Sequence, residues 1–304
     1  MSVGLHQGAI PAFSPAFEVA PLHPLFGGLV EGIDLAAGVS DAVADDLERA
    51  LAHCGVLVLR GQAVDDDQMT VFGKQLGVIS IPNPKLMMFR ERPDVLRLTN
   101  LTRENQIRPA DDRMRILNAA NELWHTDGTY GRPRTLYSML SARIIPPVGG
   151  DTQYVDTRLA YESLPERTQR RIEGLFAVHS SMHSRQLVGY TQWSPEERAA
   201  SPTAIRPLVE LHRPSGRKAV VLASHLSHIV DVPERESREL LAELNAAATR
   251  PAHVYNHVWQ VGDLIMWDNR VTMHRATPFP DFEYARDMRS VRVVDPEELA
   301  ATAS

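Results

Sequence analysis

The chain has a single cysteine, Cys54, in 304 residues, so no intrachain disulfide can form and a zinc site built from several thiolates is excluded. Lysine is nearly absent too, occurring only at Lys74, Lys85 and Lys218. No stretch approaches the roughly 20 consecutive apolar residues that span a bilayer. The opening Met1-Ser2-Val3-Gly4-Leu5-His6 has neither the basic nor the long apolar region of a secretory leader. These absences lead to the expectation of a cytoplasmic protein with no membrane partner. Basic tracts are missing as well: 32 basic and 38 acidic residues, a net charge of −6, are spread along the chain, which argues against a nucleic-acid partner.

What is present is the composition of a globular protein with a large core, 43% hydrophobic and 23% charged. No internal repeat or long Pro/Gly/Ser linker divides it, so a single domain over residues 1–304 is expected. After a Pro-rich opening, Val43, Leu47, Ala50, Leu51 and Cys54 form one stripe of a helix capped by Ser40 and stopped by Gly55. An apolar strand, Gly55 to Gly61, follows, and then a second amphipathic helix from Asp65 to Leu76, closed by Gly77. From about Ile79 to Ala120 the pattern weakens, and residues 80–120 read as a lid or loop. The second half reads as short strands: Thr135 to Ile145, Asp151 to Asp156, Gly174 to His179, Arg206 to His212, Lys218 to Ala223, His253 to Trp259, Asp263 to Trp267 and Met288 to Val294. Only two helical inserts interrupt them, Arg158 to Ile172 and Pro233 to Ala248. Many short strands with few helices favour a mainly β fold, a double-sheet jelly roll or barrel, over alternating α/β.

Two distant fragments carry the chemistry: Leu123-Trp124-His125-Thr126-Asp127-Gly128-Thr129-Tyr130 and Trp267-Asp268-Asn269-Arg270-Val271-Thr272-Met273-His274-Arg275-Ala276. On a strand, His125 and Asp127 project to one face about 7 Å apart at the backbone, close enough for their side chains to meet on one ion. Alone, H-x-D is a weak motif, equally compatible with a surface turn and a capping aspartate. With His274 it provides two imidazoles and one carboxylate, the ligand set of non-haem iron(II) oxygenases with open positions for dioxygen. Other histidine pairs fare worse. His225 and His228 on a strand would point to opposite faces, His253 and His257 would stand about 13 Å apart, and His179 and His183 would suit a helix where the flanking residues read as strand.

These motifs together resemble the taurine dioxygenase and 2,4-dichlorophenoxyacetate dioxygenase family of iron(II)- and 2-oxoglutarate-dependent oxygenases. The resemblance runs through Pro21-Leu22-His23-Pro24-Leu25-Phe26, Gly61-Gln62, Leu123 to Tyr130, Tyr137 to Pro165, Ser215 to Lys218 and Gly262 to Ala276. It leans toward the phenoxyacetate branch at Tyr137-Ser138-Met139-Leu140-Ser141-Ala142 and Gly149-Gly150-Asp151-Thr152.

The resemblance implies a double-stranded β-helix (jelly roll, cupin-like) with peripheral helices, in which His125, Asp127 and His274 are the catalytic metal ligands. Thr152 and Arg286 would bind the distal carboxylate of the cosubstrate 2-oxoglutarate, a guanidinium being the apt partner for a planar carboxylate. Trp267 is expected in the core wall near the cofactor, with Asp268 and Asn269 fixing the turn that leads to His274. Relatives that bind acidic substrates tend to have a second arginine four positions beyond Arg286, where this chain has Ser290. Lys85, Arg289 and Arg292 are the substitute candidates for the substrate's acid group, although on a regular strand Ser290 and Arg292 share a face with Arg286 and Arg289 points away.

The implied reaction consumes dioxygen and 2-oxoglutarate, releases succinate and carbon dioxide, and hydroxylates a small organic acid. An aryloxyalkanoate is the leading substrate class, because hydroxylation beside an ether oxygen gives a hemiacetal that collapses. Leu86, Met87, Met88 and Phe89 would suit its aromatic ring. A sulfonate or alkyl sulfate is the alternative, and a non-catalytic jelly-roll protein that binds a metal or small molecule is the alternative of another class. A homo-oligomer is the expected assembly.

Overall fold

The computed structural model describes residues 10–81 and 92–302. Strands β1 (Glu18–Pro21) and β2 (Gly28–Glu31) open the chain, followed by α1 (Asp41–Cys54), β3 (Val56–Leu59) and α2 (Asp66–Leu76). Next come β4 (Leu96–Thr99), α3 (Arg113–Ala119), β5 (Thr135–Ile144), β6 (Thr152–Asp156), α4 (Thr157–Ser163) and α5 (Glu166–Ile172). The middle holds β7 (Phe176–Ser180), α6 (Ser181–Leu187), α7 (Pro195–Ala200), β8 (Thr203–Pro207), β9 (Val209–His212), β10 (Arg217–Val220) and β11 (Leu226–Ile229). The chain ends with α8 (Glu234–Ala248), β12 (Tyr255–His257), β13 (Leu264–Asp268), β14 (Thr272–Ala276), β15 (Asp287–Val294) and α9 (Pro296–Thr302).

Seven strands form the main sheet in the order β1-β2-β3-β13-β5-β15-β4, antiparallel except for the β2–β3 pair. Its alternation separates two cores. Leu57, Leu59, Tyr137, Met139, Leu264, Met266, Val291 and Val293 face α1 and α2, which contribute Leu47, Leu51, Met69 and Phe72. Val56, Val58, Leu140, Ala142, Ile265, Trp267 and Met288 face the other way, toward Tyr154 of β6 and Trp259. Each such side chain taken fully out of water contributes about 1.5–3 kcal/mol, so a one-residue slip that reversed the faces would be ruinous. Across the inner face lies the three-stranded sheet β12-β6-β14. A third core, built on β7, β11, α4 and α8, packs against Val155 and Met273 of that smaller sheet.

The expected helices α1 and α2 form with their caps: the Ser40 hydroxyl accepts from the Val43 amide, and Asp65 and Gln68 make a reciprocal capping box. Gly55 ends α1 at φ 76°, returning its N–H to the Leu51 carbonyl. The structure corrects the sequence reading elsewhere. Within the expected lid, Leu96–Thr99 pairs with β15 as the sheet's edge, and Arg113–Ala119 is helical. The expected helix Arg158 to Ile172 breaks at Leu164-Pro165, since proline cannot continue the hydrogen-bond ladder. The strand expected over Arg206 to His212 splits at Leu208 between two sheets, that expected over Lys218 to Ala223 ends at Val220, and the strand expected from His253 shortens to Tyr255–His257. Strands β1 and β2 and helices α6 and α7 carried no recognised pattern.

One buried ion pair ties these parts together. Arg158 and Asp156 form a wholly buried ion pair at 2.7 Å, and Arg158 also donates to the Ala52 and His53 carbonyls (2.7 and 3.0 Å), where the end of α1 welcomes a cation. Arg158→Leu strands Asp156 without its partner; the expected loss is about 3–5 kcal/mol, read as a lower urea midpoint. His179 on β7 is buried, and among the described residues neither ring nitrogen has a hydrogen-bond partner. Burial, with Arg206 nearby, pushes its pKa down to about 3. The unfolded chain therefore binds the extra proton first, so this site's contribution is full above about pH 6.5 and is lost as pH falls toward 3. His179→Leu should flatten the dependence of unfolding free energy on pH between 6 and 4 by about 1 kcal/mol per unit, and slopes equal to the wild type's would mean that the folded protein protonates this ring.

Candidate active site

His125 is held by backbone pairing to a residue on β14: its N–H donates to the His274 carbonyl (3.0 Å) and the His274 N–H donates back (2.8 Å). This is an isolated bridge, and Asp127 already lies in a turn, so the strand expected for the H-x-D segment is not formed. Thr126 does point away, its hydroxyl 2.9 and 2.8 Å from the Leu222 and Thr272 carbonyls. Gly128 makes the turn at φ 65°, where any Cβ would collide with Thr135.

The ligand atoms of His125, Asp127 and His274 lie within 4.8 Å of one another, and all three residues are buried. The ring of His125 has its Nδ1 2.7 Å from the Leu123 carbonyl, which fixes Nδ1 as the donor and leaves Nε2 with a free lone pair. His274 turns Nε2 toward Asp127, 3.9 Å from Oδ2, and packs against Trp267 with ring centroids 4.6 Å apart. Asp127 is braced from three sides. Its amide donates to Asn269 Oδ1 (3.1 Å), its Oδ2 accepts from Ser138 Oγ (2.8 Å), and its Oδ1 pairs with Arg292 Nη2 (2.7 Å). Asn269 in turn donates to Ser138 and accepts from the Trp267 indole.

Burial lowers the pKa of both imidazoles. It pushes the Asp127 carboxyl up, but Arg292, His274 and His125 more than offset this and hold it below the usual range. Neutral rings beside an ionised carboxylate are the protonation states in which these groups ligate metal. Two imidazoles and a carboxylate on one side of a point, with a cavity on the other, fit a non-haem iron ion.

That cavity, of about 400 Å³, is bordered by all three residues and by Leu98, Ile116, Leu140, Thr152, Trp267, Arg286, Ser290 and Arg292. Thr152 is buried at the head of β6, and its hydroxyl accepts from the Trp259 indole (3.0 Å), which leaves its own proton to donate. Arg286 lies against the Gly149-Gly150 turn and donates from Nε to the Gly150 carbonyl (3.0 Å). A Cβ at Gly150 would press on Pro146 (2.8 Å) and Arg286 (3.3 Å). Burial brings the Arg286 pKa down to about 10, and among the described residues no side-chain carboxylate pairs with it. A dianion delivered there would meet a guanidinium waiting for it.

The remaining candidates separate. Ser290 and Arg292 face the cavity, with the Ser290 hydroxyl buried and unpartnered among the described residues. Arg289 points to the opposite face and binds Asp287 (2.6 Å) and Asp66 (3.4 Å), so its candidacy for the substrate is corrected. Lys85 and Leu86 to Phe89 lie outside the described residues. Trp267 walls the cavity as expected, and Asp268 fixes the turn by accepting from the Arg270 backbone (2.9 Å) and pairing with the Arg270 side chain. Sequence reasoning passed over the bracing role of Ser138; a serine among the inward-facing Leu140 and Ala142 of β5 was the available signal.

The family model described as "Taurine catabolism dioxygenase TauD, TfdA family" matches residues 18–292. The chain belongs to the TauD/TfdA family. Its relatives include an alpha-ketoglutarate-dependent 2,4-dichlorophenoxyacetate dioxygenase from Burkholderia sp. (strain RASC), 40% identical over 88% of this chain and 91% of that protein. An (S)-phenoxypropionate/alpha-ketoglutarate-dioxygenase from Sphingobium herbicidovorans is 33% identical over 95% of this chain and 99% of that protein. Among solved structures, AAD-2 in complex with Mn(II) and N-oxalylglycine superposes with a TM-score of 0.85 at 33% identity, covering 92% of this chain and 97% of that one. As a TauD/TfdA member the protein is a 2-oxoglutarate-dependent non-haem iron dioxygenase, with iron(II), 2-oxoglutarate and dioxygen as its cofactor and cosubstrates.

Asn269→Ala frees both the Asp127 amide and the Ser138 hydroxyl. The expected result is Mn(II) affinity about 10–100-fold weaker in a titration followed by electron paramagnetic resonance, with the circular dichroism spectrum unchanged.

Proposed function

We propose that this protein hydroxylates an aryloxyalkanoate-type acid beside its ether oxygen, giving a hemiacetal that falls apart to a phenol and an oxo acid. The observation that carries the reading is the character of the cavity next to the three ligand residues: apolar walls from Leu98, Ile116, Leu140 and Val188, with Arg115, Arg286 and Arg292 on the same lining. Such a pocket suits a flat apolar ring bearing one anionic group. The phenoxy acids named for the relatives have that shape.

In this reading His125, Asp127 and His274 hold the iron, while Thr152 and Arg286 hold the distal carboxylate of 2-oxoglutarate. When bound, iron and cosubstrate supply a two-electron oxidation of a C–H bond by dioxygen, with succinate and carbon dioxide as co-products. The chain's own residues do the rest. Ser138, Asn269 and Arg292 keep the Asp127 carboxylate in one orientation, Trp267 packs against His274, and the apolar walls set the ring so that one C–H bond is presented and water is displaced.

The reading also takes the β12-β6-β14 sheet and the main sheet as the two halves of a double-stranded β-helix, with residues 1–304 as one domain. Cytoplasmic residence accords with a lone buried thiol at Cys54.

The test is twofold. Anaerobic addition of iron(II) and 2-oxoglutarate should raise a weak visible charge-transfer band that His125→Ala abolishes, and Arg286→Gln should raise the 2-oxoglutarate KM about 100-fold. In air, aryloxyacetates should drive succinate release; release with taurine or alkyl sulfates but not with aryloxy acids would move the assignment to the sulfonate class.

A further inference from the structure

A threonine hydroxyl is a rotor, with one proton to donate, two lone pairs to fill and no fixed direction of its own. A carboxylate only accepts, so a threonine that serves one binds best when its proton points at the ligand before the ligand arrives. Thr152 borders the cavity and is 3% exposed. What sets its rotor is the indole of Trp259, 6% exposed, whose Nε1–H donates to the Thr152 hydroxyl oxygen at 3.0 Å. With that lone pair filled from behind, the hydroxyl proton turns away from Trp259, and among the described residues no acceptor takes it. A donor on the oxygen also polarises the O–H bond, which strengthens the next hydrogen bond in the row.

Trp259 does not border the cavity; it stands behind Thr152 on a polar scaffold of its own. β12 pairs with β6 so that His257 lies opposite Thr152. The His257 ring is edge-on to the Trp259 indole, with centroids 4.6 Å apart. Its Nδ1 is 2.9 Å from the Tyr255 hydroxyl, and its Nε2 is 3.0 Å from Asp263 Oδ2, which also accepts from the Gln260 amide (2.8 Å). His257 and Asp263 are wholly buried, so these bonds hold the segment on either side of Trp259 in one place. Arg286 is tethered in the same manner: its Nε donates to the carbonyl of Gly150, two residues before Thr152, which leaves Nη1 and Nη2 as the fork for a ligand.

We propose that Trp259 is a positioning residue for 2-oxoglutarate: its indole N–H fixes the Thr152 hydroxyl as a donor to the distal carboxylate. This rests on the reading above that gives that carboxylate to Thr152 and Arg286, and it is independent of which organic acid is oxidised.

The test is anaerobic titration of the iron(II)-loaded protein with 2-oxoglutarate, read by the visible charge-transfer band, in the wild type, Trp259→Phe, Thr152→Val and the double variant. Trp259→Phe keeps an aromatic ring and loses the N–H; it should weaken 2-oxoglutarate about 5-fold, and Thr152→Val about 10-fold or more. In the Thr152→Val background, Trp259→Phe should cost less than about twofold, because the hydroxyl it orients is gone. Equal losses in both backgrounds, or no loss with Thr152 in place, overturn the inference. If Trp259→Phe does not fold, 3-benzothienylalanine at position 259 decides, since it keeps the shape of the indole with sulfur in place of N–H: a loss of the same size supports the role, and wild-type affinity overturns it. Mn(II) affinity, followed by electron paramagnetic resonance, should stay at the wild-type value; a fall as large as that for 2-oxoglutarate would mean that Trp259 packs the whole centre, and overturns the role. Thr152→Val that binds 2-oxoglutarate like the wild type overturns the reading of Thr152 and this inference together, whereas a weakened Thr152→Val beside an unaffected Trp259→Phe overturns this inference alone.

Discussion

Two backbone hydrogen bonds between His125 and His274 hold the site together. They join a turn-bound segment to the edge of β14, bring residues far apart in sequence into register, and fix both imidazoles before any ion arrives. Everything else near the centre completes that junction. The Thr126 hydroxyl reaches the Thr272 carbonyl on the same strand, and the Asp127 amide is met by Asn269 from the turn between β13 and β14. A candidate metal site assembled from backbone pairing is preorganised, so little ordering cost would remain for an ion bound there.

The strand period then decides what the site sees. Along β15, Met288, Ser290 and Arg292 face inward, while Val291 and Val293 face α1 and α2. Along β13, Trp267 faces inward and Met266 outward. One alternation thus supplies both the apolar core that stabilises the sheet and the wall of the reaction chamber, which is why the two cannot be moved independently.

Much of this was legible in the chain. α1 and α2 announced themselves through caps and stripes, β5, β13 and β15 through apolar runs, and the cluster of His125, Asp127 and His274 through two fragments whose residue types made sense only together. The parity of β15 correctly put Ser290 and Arg292 on one face and Arg289 on the other. What stayed hidden had physical reasons. β4 is only half-buried along its length and α3 has no buried residue, so neither leaves a hydrophobic period to read. Leu208 is a wholly buried residue between strands of two different sheets, and nothing local marks such a break. Ser138 and Asn269 act through partners distant in sequence, so their meaning exists only in three dimensions.

The half-exposed α3 has a consequence for the history of such a protein. Its Arg115, Ile116 and Asn118 border the cavity, yet none of its residues is buried in the core, whereas His125, Asp127 and His274 are each locked into buried hydrogen bonds. Substitutions on that helix can reshape what the chamber accepts at little cost to folding, while His125, Asp127 and His274 stay where they are. Such a division lets a lineage change its diet without relearning its chemistry.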